Sequence, residues 1–431
     1  MQNKSRKFLM MYRRARRRKI SVCSCHLTLL STLLWFLSCF VQRIHAGAAA
    51  SSNDHENKDE GFARLVRWMR QHGGQVDPRI DVGIRDGIRG IVATADMDVG
   101  TQLLFCPWEL IIGSRDIDHQ MQGEVDMCQV VQDMADAMRR GTDSLWHPYL
   151  DHIELPRLPA MWDQAAIDEL QSMPPSQDVT RHIRWFEQSC DGNLDEAGMK
   201  ALVAFISRAN EVGMTPIYDL LNHHNGRRNA KLQIVEDGVR LVVVGAGPVH
   251  KNDQLYLSYG IKTASTMFRD YGFVEDWPTA WNFRSKTSGD NFAFVLFPDG
   301  AAAINPTGDL LKSLWQSDMS LLEYQALAET HMRSLALADL ERFVVCARDR
   351  LDEFPTTLQE DEVKLEENRI ALSLLSDQSR SENDVTNRSS MEDAGSAIRY
   401  RSDFKRALNS AMMCADAMGQ SLRERISSQD L

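Results

Sequence analysis

The spacing of apolar residues changes several times along this chain, and each change marks an element boundary. Phe62, Leu65, Val66 and Met69 recur three and four apart, which predicts a helix that Gly73 and Gly74 stop. Ile80, Val82 and Ile84 then alternate with other positions, and short apolar runs follow at IVATA, TQLLFC and ELII, broken by Asp86 and Gly87, by residues 98–100 and by Cys106 and Pro107. These are the marks of short strands and turns. Over residues 117–207 helical spacing returns in VDMCQVVQDMADAMRR and VTRHIRWFEQSC, around the aromatic-rich connector SLWHPYLDHIELP. Strands resume at AKLQIVE, VRLVVVG and QLYLSY, and NFAFVLF adds one more after Trp281. Residues 309–354, 358–375 and 398–426 read as long helices. Between the last two lies DQSRSENDVTNRSSMEDAGS, so poor in apolar residues that a disordered loop is expected.

The pattern predicts an α+β fold of 431 residues, longer than the roughly 250 at which single cores stop growing. β-rich halves over 61–116 and 207–280 flank a helical insert over 117–206, and a helical region follows over 281–431 with a polar loop at 377–397. With 43% hydrophobic and 25% charged residues the body is ordinary globular protein. Residues 1–45 hold ten Lys or Arg and no Asp or Glu, so the rest carries 39 basic against 60 acidic side chains, a net charge of −21. An acidic body disfavours nonspecific nucleic-acid binding and suits a basic polypeptide partner; a merely soluble surface accounts for it equally well.

The first 48 residues form a targeting or anchoring element, followed by a linker over 49–60. Arg13, Arg14, Arg16, Arg17, Arg18 and Lys19 precede residues 21–42, which contain no Asp, Glu, Lys or Arg and are long enough to span a bilayer. Ala46, Gly47 and Ala48 would suit signal-peptidase cleavage, so anchor and cleaved signal peptide both stay open. Either places the body in or across a membrane, in the secretory lumen or outside the cell. A plastid route is a third possibility, against which the acidic stretch SSNDHENKDE counts. Three of the eight cysteines lie in the apolar segment, and Cys106, Cys128, Cys190, Cys346 and Cys414 are scattered without zinc or redox spacing. Free buried thiols are the expectation, and no metal site is expected. Asn387, Arg388 and Ser389 form a glycosylation sequon in the polar stretch.

Four segments, RGIVATADMDVG at residues 89–100, TPIYDLLNHH at 215–224, LYLSYG at 255–260 and DYGF at 270–273, together resemble the SET-domain protein methyltransferases, in the branch of the RuBisCO large-subunit lysine methyltransferase. The resemblance implies a split SET domain, an all-helical C-terminal substrate-binding domain, S-adenosylmethionine as cosubstrate and a lysine acceptor on a protein or peptide. It assigns Arg89, Gly90 and Ile91 to the cofactor, where a glycine lets backbone approach a ligand closely. SRAN at 207–210 adds Arg208, whose planar guanidinium would face the cofactor's carboxylate, while Asn222 and His223 would hold its amino group and adenine edge. Tyr259 takes the position of the catalytic tyrosine. Asp219, Tyr271 and Phe273 take positions on the acceptor side.

The implied chemistry is in-line displacement by a neutral amine, so positioning and desolvation carry the rate rather than a strong base. Each residue alone has a plainer reading: a hairpin turn for Arg89 and Gly90, a loop for the Asn-His-His run, core packing for each tyrosine. Their occurrence together, in order, favours the site. Two departures from the family stand out: His224, where a small residue is common, and KTASTMF at 262–268, where a Ser-Asn pair is usual. Hence two alternatives stay open, a catalytically weak, membrane-anchored peptide-binding module and histidine rather than lysine methylation. A monomer acting on a non-histone protein is the working expectation.

Overall fold

The computed structural model describes residues 60–429 apart from residues 86, 114–124, 172, 174–177, 261, 276, 306–320 and 376–381. The N-terminal targeting element therefore lies outside the described residues, as does Asp86. Among the described residues no helix is long and apolar enough to cross a membrane.

The first amphipathic stretch forms α1 (Glu60–Gln71), which buries Phe62, Leu65, Trp68 and Met69. After it come the short strand β1 (Gln75–Val76), the hairpin β2 (Ile80–Arg85) and β3 (Ile88–Ala93), and β4 (Gln102–Pro107). The apolar run ELII forms no named strand. Trp108–Leu110 makes a single 3-10 turn, and Ile112 bridges Met214.

The insert holds α2 (Met127–Arg140), α3 (His147–Leu150), α4 (Gln164–Asp168), α5 (Arg181–Ser189) and α6 (Glu196–Arg208). Aspartates at the caps start three of these helices: Asp126, Asp163 and Asp195 accept from Gln129, Ala166 and Gly198 backbone N–H groups. Beyond the insert the chain returns as β5 (Asn222–His223), β6 (Ala230–Val235), β7 (Gly238–Val243) and β8 (Tyr256–Leu257).

Strands from before and after the insert pair with each other. β4 pairs antiparallel with β7 and β1, and β6 completes the order β1-β4-β7-β6. The hairpin edge is tied in when Leu255 donates to the Ile91 carbonyl and Ala93 to that of Asp253. A core of aliphatic residues from both halves, including Leu103, Leu104, Leu241 and Leu255, packs with Val130, Met134 and Leu202 of the insert.

Contrary to the expectation of free thiols, Cys128 and Cys190 form a disulfide with Cα atoms 5.2 Å apart, whereas Cys106, Cys346 and Cys414 join no disulfide among the described residues. It ties α2 to the end of α5. Sequence could not show this, because helix packing rather than spacing brings the two thiols together. The cross-link closes 62 residues, and loop closure of that length restrains the unfolded chain by about 4 kcal/mol. Replacing both cysteines by serine should therefore lower the thermal midpoint clearly, a shift that calorimetry with and without reductant will read.

α7 (Ala264–Tyr271) forms despite the unusual KTASTMF sequence, because the Thr263 hydroxyl caps it by accepting from Thr266 N–H at 3.3 Å. It is followed by a three-stranded sheet, β9 (Thr279–Arg284), β10 (Asn291–Leu296) and β11 (Ala302–Ile304), of which the sequence pattern reveals only β10. The C-terminal region is helical from there on: α8 (Leu321–Ser334), α9 (Leu337–Asp352), α10 (Leu358–Leu375) and α11 (Glu382–Gln429). The expected polar loop over 377–397 is thus helix from Glu382. Its sparse apolar face is offset by buried Asp393, which receives both Arg157 Nε (2.9 Å) and Nη2 (2.6 Å). The sequon residue Asn387 is exposed on this helix.

A second core joins this sheet and these helices to Phe268 of α7, whose ring stacks on Tyr400 with centroids 4.1 Å apart. Because α7 also carries Tyr271, the C-terminal core fixes one wall of the site described next.

Candidate active site

β5 and β8 run parallel, pairing Asn222 with Tyr256 and His223 with Leu257, beside the β2–β3 hairpin. This short pairing sets the backbone from which the candidate residues project. Asn222 Nδ2 reaches across to donate to the Arg89 carbonyl at 2.9 Å. Gly90 lies beside it, and a Cβ there would come within 2.3 Å of Gln254 Nε2 and 2.5 Å of Asn222 Nδ2, so a larger residue would displace those two amides.

Two cavities of about 290 and 340 Å³ meet here. The first is bordered by Arg89, Gly90, Asn222 and Phe273. Tyr218, Ser258, Gly260 and Lys262 border the second. Arg208, Asp219, Tyr259 and Tyr271 line both, so the catalytic candidate stands at the junction.

Tyr259 is held at both ends. Its backbone N–H donates to His223 Nδ1 at 2.9 Å, and its hydroxyl donates to the Leu221 carbonyl at 2.8 Å. Burial pushes its pKa up to about 12, opposed by Arg208 and reinforced by Asp219, so the phenol is neutral at physiological pH. Its ring lies 4.9 Å from that of Tyr271, whose phenol is also raised by burial. α7 keeps Tyr271 in place through Asp270, which accepts from Arg269 and pairs with His182 of α5 at 2.9 Å. Burial alone would raise the Asp270 carboxyl, but those two partners outweigh it and bring it to about 2.

Arg208, at the end of α6, donates to the carbonyls of Asp219 (2.7 Å) and Glu154. Among the described residues its Nε, buried, has no hydrogen-bond partner, nor has Asp219 Oδ1, while the other Asp219 oxygen accepts from the Tyr149 hydroxyl at 3.0 Å. Desolvation raises the Asp219 carboxyl to about 6 against the pull of Arg208. An unpartnered guanidinium edge at the boundary of a glycine-lined cavity fits the carboxylate of an amino-acid-like ligand.

Two expected cofactor residues do not reach either cavity. Ile91 is buried in the core, and its carbonyl is taken by Leu255, because β3 is the strand that joins the hairpin to the rest of the domain. His223 lies behind Tyr259. Its Nδ1 accepts the Tyr259 N–H, so the ring proton is on Nε2, which faces Glu275 Oε2 at 3.0 Å. It positions the tyrosine instead of lining the cavity. His224 likewise acts structurally, its Nδ1 accepting from Gly226 and Arg227 N–H groups.

Sequence reasoning missed Glu275, which gathers the His223 ring, the Asn225 N–H (2.6 Å) and the Asn225 side-chain amide (2.9 Å). Burial would raise its pKa, yet these partners lower it. Tyr149 and residues 154–156 of the aromatic connector were missed too, although the connector's composition hinted at packing. Among the described residues no group of three or more His, Cys, Asp or Glu is arranged to hold a metal.

This architecture is the SET-domain fold. It is similar to the structure of Rubisco LSMT bound to AdoMet, with a TM-score of 0.52 and 15% identity over 84% of this chain and 93% of that one. A second neighbour, the SET domain of LSMT bound to lysine and AdoHcy, gives 0.50 and 15% over 85% and 92%. At such identities the likeness is one of fold, and at that level the resemblance read from the sequence is borne out. No family model matches the chain. An uncharacterized protein of Schizosaccharomyces pombe is 19% identical over 271 residues, 51% of this chain, and the match spans 56% of that protein's length.

Proposed function

We propose that this chain is an S-adenosylmethionine-dependent protein-lysine N-methyltransferase acting on a non-histone protein. The observation that carries the reading is the junction of two cavities at Tyr259, one bordered by Gly90, Asn222 and Arg208, the other by aromatic side chains. The LSMT structures of the same fold hold AdoMet, or lysine with AdoHcy. S-adenosylmethionine, when bound, supplies an electrophilic methyl group.

Arg208 and Asn222 would hold the cofactor in the first cavity, and Gly90 leaves room for the Asn222 amide at its edge. In the second, Tyr218, Tyr259 and Tyr271 surround the incoming lysine with apolar ring faces. Desolvation against those rings disfavours an ammonium, whose ordinary pKa is near 10.4, and so promotes the neutral amine needed for attack, while Asp219 and Glu211 in the same lining attract the cation. The Tyr259 hydroxyl, fixed by its bond to the Leu221 carbonyl, orients that amine. The proton leaves to water at the mouth of the acceptor cavity.

Residues 1–48 serve in this reading as a signal anchor or signal peptide that places the body at a membrane or in the secretory lumen. The disulfide between Cys128 and Cys190 supports an oxidising compartment. Carbonate extraction of the full chain should leave it in the membrane pellet, or sequencing should find a new N-terminus near Ala48. A full-length, freely extracted protein would sink the placement.

Calorimetric titration with S-adenosylmethionine tests the enzymatic reading. Asn222→Ala should weaken binding by about 1 to 3 kcal/mol, because the buried Arg89 carbonyl loses its donor at the cavity edge. Wild type that binds no cofactor, or equal affinity in both proteins, would count against the assignment.

A further inference from the structure

We propose that Lys262 is a self-methylation site, an inference that rests on the methyltransferase reading. The amine of Lys262 is already at the acceptor cavity: its side chain is part of the lining, and Nζ lies 5.5 Å from the centroid of the Tyr271 ring. That ring is 4.9 Å from the ring of Tyr259, which borders the cofactor cavity as well. An acceptor lysine from another protein must pass the same aromatic faces.

Chain geometry keeps Lys262 there. It lies three positions after Tyr259 and directly before Thr263, the cap of α7, which also bridges Ala280 of β9. Thr263 thus pins the backbone on the C-terminal side of Lys262, and the four-carbon stem can turn. The transfer requires rotation of that stem to carry Nζ along the Tyr271 face towards Tyr259. So short a tether gives the amine a far higher effective concentration than a dissolved acceptor.

In the step itself, the lone pair of the neutral Lys262 amine forms a bond to the sulfonium methyl of S-adenosylmethionine. The S–CH3 bond breaks with its electron pair passing to sulfur, which leaves a thioether. The methylammonium then releases a proton to water.

The test uses the purified full chain in detergent, incubated without any other protein and with S-adenosylmethionine carrying an isotopically labelled methyl group. Peptide mass spectrometry locates the label, and calorimetry on the same preparation measures cofactor binding. The expected result is label on Lys262 at a rate per molecule that does not change with protein concentration. Lys262→Arg should remove it while still binding cofactor, and Tyr259→Phe should slow it at least tenfold. Cofactor binding with Lys262 unlabelled would overturn the inference and leave the methyltransferase reading standing. Absence of cofactor binding would overturn both. Label that persists undiminished in Tyr259→Phe, or a rate proportional to protein concentration, would show transfer outside the tethered geometry and likewise reject it.

Discussion

Tyr259→Phe is expected to lower methyl transfer to a confirmed acceptor at least tenfold while leaving cofactor affinity and folding unchanged. The reason is local. The substitution deletes only the hydroxyl that donates to the Leu221 carbonyl at 2.8 Å, and it keeps the ring against His223 and Tyr271. The backbone N–H that binds His223 also remains, so the parallel pairing of β5 and β8 has no cause to shift. What is lost is a fixed dipole next to the reacting amine, and tenfold corresponds to about 1.4 kcal/mol of barrier. Single-turnover transfer, measured beside calorimetric cofactor binding, separates the terms. Equal turnover by a folded variant would remove Tyr259 from the catalytic role and require the motifs to be realigned.

His223→Ala makes the informative contrast. It empties the space behind Tyr259, leaves the Tyr259 N–H without its acceptor and takes the imidazole from Glu275, which keeps only its bonds from Asn225. Both fold and transfer should suffer, as befits a positioning residue. The distinction between these two neighbours was not legible in the sequence, where each was one member of a motif. Motif order identified the segments that meet, and eight of the ten candidate residues do border the cavities. Which face of a two-residue strand points inward depends on its pairing, and that pairing joins residues 34 positions apart, Asn222 with Tyr256. Period alone could not assign Ile91 or His223 to the correct side.

The same limit explains the C-terminal region. β11 has only three residues, and the buried faces of β9 and β11 are supplied by helices far along the chain, so local alternation did not announce them. The start of α11 was hidden for the opposite reason. Its polar residues satisfy one another and the connector through specific pairs, as Asp393 does with Arg157, where a sequence reading counts only missing apolar side chains. The disulfide was likewise invisible, since two cysteines without a diagnostic spacing are joined only once α2 and α5 have packed.

The largest stability loss should come from Asp361→Ala, far from the site. Asp361 on α10 is fully buried and receives Arg401 Nη2 and Lys405 Nζ from α11, both at 2.6 Å, as well as the Thr356 hydroxyl at 2.6 Å. Arg401 also reaches Glu169, beside α4, so the cluster fastens the insert to the C-terminal helices. Removing the carboxylate leaves two cations in the interior with their main counter-charge gone, which costs about 3 to 5 kcal/mol. Burial would raise the Asp361 pKa, but its hydrogen bonds to Arg401, Lys405 and Thr356 outweigh that and hold it below the usual carboxylate value. Its contribution is therefore present above the unfolded pKa of about 3.9 and disappears as pH falls through the lower folded value. In urea at neutral pH the Asp361→Ala midpoint should drop sharply. As pH falls through that lower folded value the gap from wild type should narrow. Replacing Asp361, Arg401 and Lys405 together by Leu, Met and Met should recover much of the loss, because no unpaired charge remains. A single variant as stable as wild type would mean that the cluster carries no net weight in the fold, and equal losses in the single and triple variants would assign the effect to packing rather than charge.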